Sequence, residues 1–167
     1  MIDLTDLEGL CAGLPAESAG PLAHRATVAL ERRHGPGVAL TVAGDEEFVE
    51  IVRWNPLPIA VAQNEDLNET TRDGAMGLAL ALAHRRQRWR VVRRLQSVVS
   101  EGADWLLEDQ AATRFALEVK GTDDQTLPIS DALRQARESI WAQRATPAAC
   151  VVRFREPRAI FRTDEPR

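Results

Sequence analysis

The sequence predicts an α/β fold in one domain. The length of 167 residues is near the size of a single domain. A composition of 44% apolar and 28% charged residues suits a packed core and excludes a disordered chain or a coiled coil. From residue 66 onward, helix-period and strand-like runs follow one another in the order α-β-β-β-α-β. Cys11 and Cys150 stand far apart with no Cys-x-x-Cys pairing, which excludes a disulfide framework and a zinc knuckle and predicts a reducing, cytoplasmic setting. The first eight residues are acidic where a leader would be basic. No apolar run approaches the roughly 20 residues of a membrane span, so no membrane partner is expected.

Residues 1–58 read as an N-terminal extension of helix, helix and β-hairpin. Leu4 to Ala12 has the spacing of a short amphipathic helix. A second helix starts after Pro15, carries Leu22, Ala26, Ala29 and Leu30 inward, and stops at Gly35-Pro36-Gly37. Val38–Val42 and Phe48–Val52 alternate as strands around a turn at Ala43-Gly44-Asp45. Asn55-Pro56-Leu57-Pro58 breaks regular structure, because each proline removes a donor and restricts the residue before it.

Residues 66–154 read as the core. Asp66 to Gln87 forms a long helix, apolar on nearly every side over 75–83 and therefore buried. Three strands are expected at Trp89–Leu95, Ala103–Leu107 and Phe115–Val119, with a polar break at Glu108–Thr113. Pro128 opens a helix with Ile129, Ala132, Leu133, Ala136 and Ile140 on one face, and Ala148–Val152 makes a buried strand. Residues 158–167 read as a C-terminal edge strand and a frayed tail.

Charge is unevenly distributed. Residues 1–83 hold 13 acidic and 5 basic side chains, whereas 84–167 hold 12 and 16, so the second half is the anion-binding candidate. Lys120 is the only lysine among 21 basic residues. Asp104 is placed at the start of one strand and Glu118-Val119-Lys120 at the end of the next, so a short hairpin would gather three polar side chains. A period of two sets Glu118 and Lys120 on one face. Two carboxylates offer hard oxygen ligands to Mg²⁺ or Mn²⁺, and an adjacent ammonium can orient a water or stabilise charge on a phosphoryl group.

At these residues the chain resembles the PD-(D/E)xK nuclease superfamily, over about residues 66–154. Gly102-Ala-Asp104-Trp resembles the metal-binding Asp at the start of the second core strand, and Glu118-Val-Lys120 resembles the E-x-K of the third. The resemblance implies a restriction-endonuclease-like αβββαβ core with a mixed central sheet, carrying the N-terminal layer. It also implies Mg²⁺ (or Mn²⁺) as cofactor and DNA as substrate. Asp104 and Glu118 would be metal ligands with the Val119 carbonyl, Lys120 the catalytic ammonium, and Gln135 a supporting residue on the second core helix. Some branches add an acid from the first core helix, for which Glu69 and Asp73 are the candidates. Two departures stand out: no proline precedes Asp104, and position 139 is Ser where some branches carry Tyr.

Arg85, Arg86, Arg88, Arg90 and Arg134 are candidate nucleic-acid contacts, with a solvated face as the plainer alternative. His24, His34 and His84 share no metal-ligand spacing. The leading expectation is a metal-dependent nuclease hydrolysing DNA, serving defence or repair. The alternative is a catalytically silent nuclease-like module that binds a protein partner or nucleic acid, since the acidic first half would repel a duplex unless it faces away or docks a basic partner. A homodimer is a further way to use that half.

Overall fold

The structure is a computed structural model that describes residues 1–44, 47–95 and 102–164. Its strands are β1 (Ile2–Asp3), β2 (Val38–Ala43), β3 (Phe48–Arg53), β4 (Arg90–Arg94), β5 (Trp105–Glu108), β6 (Arg114–Thr122), β7 (Thr146–Arg153) and β8 (Arg158–Thr163). Its helices are α1 (Leu7–Leu10), α2 (Ala16–Glu31), α3 (Ile59–Asn64), α4 (Leu67–Gln87) and α5 (Ile129–Glu138). The strands form one mixed sheet in the order β1-β3-β2-β8-β7-β6-β5-β4, packed against helices. Pairing is parallel for β1/β3, β2/β8 and β6/β7 and antiparallel elsewhere. No helix of the described residues is long and apolar enough to cross a membrane.

The expected order from residue 66 onward is present as α4-β4-β5-β6-α5-β7. Asp66 starts α4 by accepting the Glu69 N–H at 2.8 Å, the usual role of an aspartate N-cap. The helix ends at Arg88 in the left-handed conformation, φ 57°. Its all-round apolar stretch is explained by position. α4 lies between α2 and the sheet, and every residue from Gly74 to Ala83 is buried. Small side chains let the two helices meet closely, since a Cβ on Gly74 would sit 2.9 Å from the Ala26 Cα.

Alternation divides the two faces of the sheet. Leu117 and Val119 of β6, with Ala148, Cys150 and Val152 of β7, join the core under α2 and α4. Ala149 and Val151 instead meet Ala132 of α5 on the opposite face. The even-numbered residues of β6, including Glu118 and Lys120, therefore face the α5 side.

Several expectations are corrected. The segment 158–163 is not an edge strand. β8 lies inside the sheet, pairing antiparallel with β7 and parallel with β2, so it joins the N-terminal hairpin to the core strands. The hairpin thereby extends the sheet, since β2 uses the β8 edge to satisfy its backbone groups. Residues 4–12 do not make one helix, because the Asp3 and Asp6 carboxylates accept the Thr5 and Gly9 N–H groups at 3.0 and 3.2 Å and split the run into a 3₁₀ turn and α1. The break at 55–58 is followed by the unexpected α3, tied to α2 by Arg32 Nε donating to the Ala62 carbonyl at 2.7 Å. α5 ends at Glu138, where Ser139 caps a new 3₁₀ turn by accepting the Trp141 N–H at 3.1 Å. Ile140, expected on the apolar face, is consequently 61% exposed. The Asp45 end of the expected hairpin turn and residues 165–167 of the tail lie outside the described residues.

Candidate active site

The site arises where β5 stops and β6 continues. Antiparallel pairing of these strands ends at Trp105 opposite Leu117, whereas β6 runs on to Thr122 paired with β7 alone. Asp104 folds across the gap. Its N–H donates to the Leu117 carbonyl at 2.9 Å, its own carbonyl accepts the Leu95 N–H at 2.8 Å, and its Oδ2 accepts the Val119 N–H at 2.8 Å. The N–H and C=O of one strand residue point the same way, so the Val119 carbonyl faces the same gap.

Two glycines make this possible. Gly102 has φ +61°, and a Cβ there would lie 2.5 Å from the Gln135 carbonyl oxygen. The segment delivering Asp104 is thus pressed against the last turns of α5. On the opposite face, a Cβ on Gly121 would sit 2.0 Å from the Thr71 carbonyl oxygen of α4. One residue past Lys120, the strand touches helix backbone.

Charge is concentrated here. Burial and the neighbouring Asp104 charge push the Glu118 carboxyl up to about 8, against the opposing pull of Lys120. Burial also raises Asp104, and Asp73 adds to it, while the Val119 N–H, Arg94 and Arg72 work against the rise. Two acids forced upward by desolvation, Glu118 also by the Asp104 charge, are a set that a divalent cation relieves. The donors fit such an ion: two carboxylates and a carbonyl are hard oxygen ligands, and Mg²⁺ commonly keeps several waters alongside one or two carboxylates. Among the described residues no group of three or more His, Cys, Asp and Glu side chains is arranged to hold a metal. Such an ion would rest on this smaller set.

The other candidates separate clearly. Asp73 is mostly buried, takes Arg72 Nε at 2.9 Å and acts on Asp104, whereas Glu69 is more than half exposed and pairs with Arg25 at 3.2 Å. Asp73 is therefore the inward acid of the two. Gln135 is half-buried and adjoins the Asp104 segment through its backbone. Arg85 and Arg86 point elsewhere. They pair with the buried Glu50 at 3.2 and 3.6 Å, about 18 Å or more along α4 from Asp73 at 1.5 Å per residue. Arg90 Nη2 donates to Glu108 at 2.5 Å, Arg134 pairs with Asp131 and Glu138 on the surface of α5, and Arg88 is the exposed cap of α4. The arginines that do act on Asp104 are Arg94 and Arg72. Arg72 escaped the sequence reading; its one signal was adjacency to Asp73 at the start of α4.

Compared with protein-family models, curated proteins and solved structures, the chain shows no significant match.

Proposed function

We propose that the protein is a metal-dependent nuclease of the restriction-endonuclease-like class, hydrolysing DNA phosphodiester bonds. The observation that carries this reading is the meeting of Asp104 with the Glu118-Val119-Lys120 strand across the β5–β6 gap, closed by the bond from Val119 N–H to Asp104. The α4-β4-β5-β6-α5-β7 order around it supports the same class. Asp104, Glu118 and the Val119 carbonyl would hold the ion. A bound Mg²⁺ or Mn²⁺ supplies a lower pKa to a coordinated water and neutralises charge on the phosphoryl oxygens.

The protein's own groups do the remainder. Asp104 is fixed by backbone bonds on both sides, so its carboxylate stays in place without substrate. Lys120 lies on the Glu118 face of β6, where its ammonium can donate to an attacking water or to the phosphoryl oxygens. Arg72 and Arg94 bring positive charge to an otherwise acidic centre. The test is metal-started hydrolysis of linear, nicked, branched and single-stranded DNA. Hydrolysis with Mg²⁺ or Mn²⁺ and none in chelator supports the reading; no hydrolysis of any substrate with either ion overturns it.

A second reading, a silent module that binds a protein or nucleic acid, draws on a different observation. Of the arginines picked from sequence, Arg85, Arg86, Arg90 and Arg134 are each held by acids of the chain itself. Absence of any metal-dependent stabilisation would favour it.

A further inference from the structure

A groove of about 640 Å³ opens at the far end of β6, between the starts of β6 and β7 and the 3₁₀ turn after α5. Arg114, Arg137 and Arg144 line it with Thr113, Thr146 and Asp164. Among the described residues, three guanidiniums thus meet one carboxylate. Asp164 takes Arg137 in a fork at 2.7 and 2.8 Å, and Arg114 has only a long contact with Glu108, 3.7 Å. Arg144 makes no ion pair among the described residues; its backbone N–H closes the turn on the Trp141 carbonyl, and its side chain is exposed. Arg144 thus differs from the arginines that the chain neutralises itself.

We propose that this groove binds the backbone phosphates of a nucleic-acid strand, as a contact separate from the Asp104 centre. Planar guanidiniums and hydroxyls are the donors that phosphate oxygens take, and the excess of positive charge compensates for the acidic centre. Arg114 and Glu118 stand four residues apart on β6, about 14 Å, which is the axial rise of roughly four base pairs of B-form DNA. Arg93 is stacked over Trp141 of that 3₁₀ turn, 4.7 Å from the ring centroid. The groove would hold a strand several nucleotides from the reacting phosphate. Its place relative to a reaction rests on the nuclease reading; its binding of phosphate does not.

The test measures binding in chelator, so that no hydrolysis intervenes, using labelled DNA of three and of twelve nucleotides and inorganic phosphate. Arg144→Ala and Arg114→Ala should each weaken the longer strand about three- to tenfold and make its salt dependence shallower by roughly 0.7 to 0.9 in log–log slope. The three-nucleotide strand and inorganic phosphate, which the groove alone can hold, should lose affinity by a similar factor. Arg53→Ala, which removes the same charge from the exposed face of β3, should change none of these. Unchanged affinity and slope for the long strand in both groove variants would overturn the proposal, as would loss of phosphate binding alone. Binding unchanged in the groove variants, with metal-dependent hydrolysis intact, would refute only the groove. Groove binding with no hydrolysis would refute only the nuclease reading.

Discussion

The Asp104 carboxylate accepts the Val119 backbone N–H at 2.8 Å, and this one bond fixes the geometry of the candidate site. It closes the strand gap, places the acid beside Glu118, and leaves the Val119 carbonyl facing the same space. A residue outside any strand becomes the bridge between two.

The Asp104 segment depends on Gly102. Gly102→Ala would bring a Cβ against the Gln135 carbonyl at a left-handed backbone angle, and should cost about 1–3 kcal/mol in chemical denaturation. An unchanged midpoint would show that the segment can move away from α5.

Glu118 sets a pH dependence. Its folded carboxyl is raised to about 8 from an ordinary 4.5, so the folded state keeps a proton that the unfolded chain releases between those values. Metal-free stability should fall as pH rises from about 4.5 to 8, by at most about 1.4 kcal/mol per pH unit from this group. Glu118→Gln removes the charge that burial disfavours and should stabilise the metal-free protein at pH 8 by about 1–3 kcal/mol. Thermal melts across this range test both; a Gln variant less stable than wild type would contradict the burial argument.

Metal should act through the same pair. Mn²⁺ should raise the melting temperature of wild type but not of Asp104→Asn or Glu118→Gln, and its affinity should strengthen with pH toward about 8 as the Glu118 proton is displaced. Equal shifts in all three proteins would place any metal elsewhere.

Glu50 is a structural counterpart. Burial alone would raise its carboxyl, yet the Met1 ammonium and Arg85 hold it below the ordinary range. Glu50→Ala should destabilise by about 1–3 kcal/mol without changing metal binding, since Arg85 and Arg86 can turn to solvent. Calorimetry with Mn²⁺ separates the two effects.

The core was legible where the pattern is local. The apolar run 75–83 announced a buried helix, and the alternation at 115–119 announced a strand with Glu118 and Lys120 on one face. The order of elements followed from these, and with it the approach of Asp104 to Glu118. What sequence could not give was long-range pairing. Nothing in Arg158–Thr163 reveals that β2 will adopt its free edge, because strand partners are chosen by backbone groups that every residue carries. Charge was misleading for a related reason. The cluster from Arg85 to Arg94 looks continuous in sequence, but helix and strand carry its members to different partners: Arg85 to Glu50, Arg90 to Glu108, Arg94 toward Asp104.

The most direct test is the hydrolysis rate of Lys120→Ala beside wild type, under single-turnover conditions with saturating Mg²⁺ on whichever DNA the wild type cuts fastest. Lys120 is half-buried, and the proposed role needs its ammonium at the attacking water or the phosphoryl oxygens. A loss of at least about a hundredfold, with the melting temperature and the Mn²⁺-dependent shift preserved, is the predicted result. Hydrolysis by the variant at the wild-type rate would contradict the assignment of Asp104, Glu118 and Lys120 as one catalytic unit.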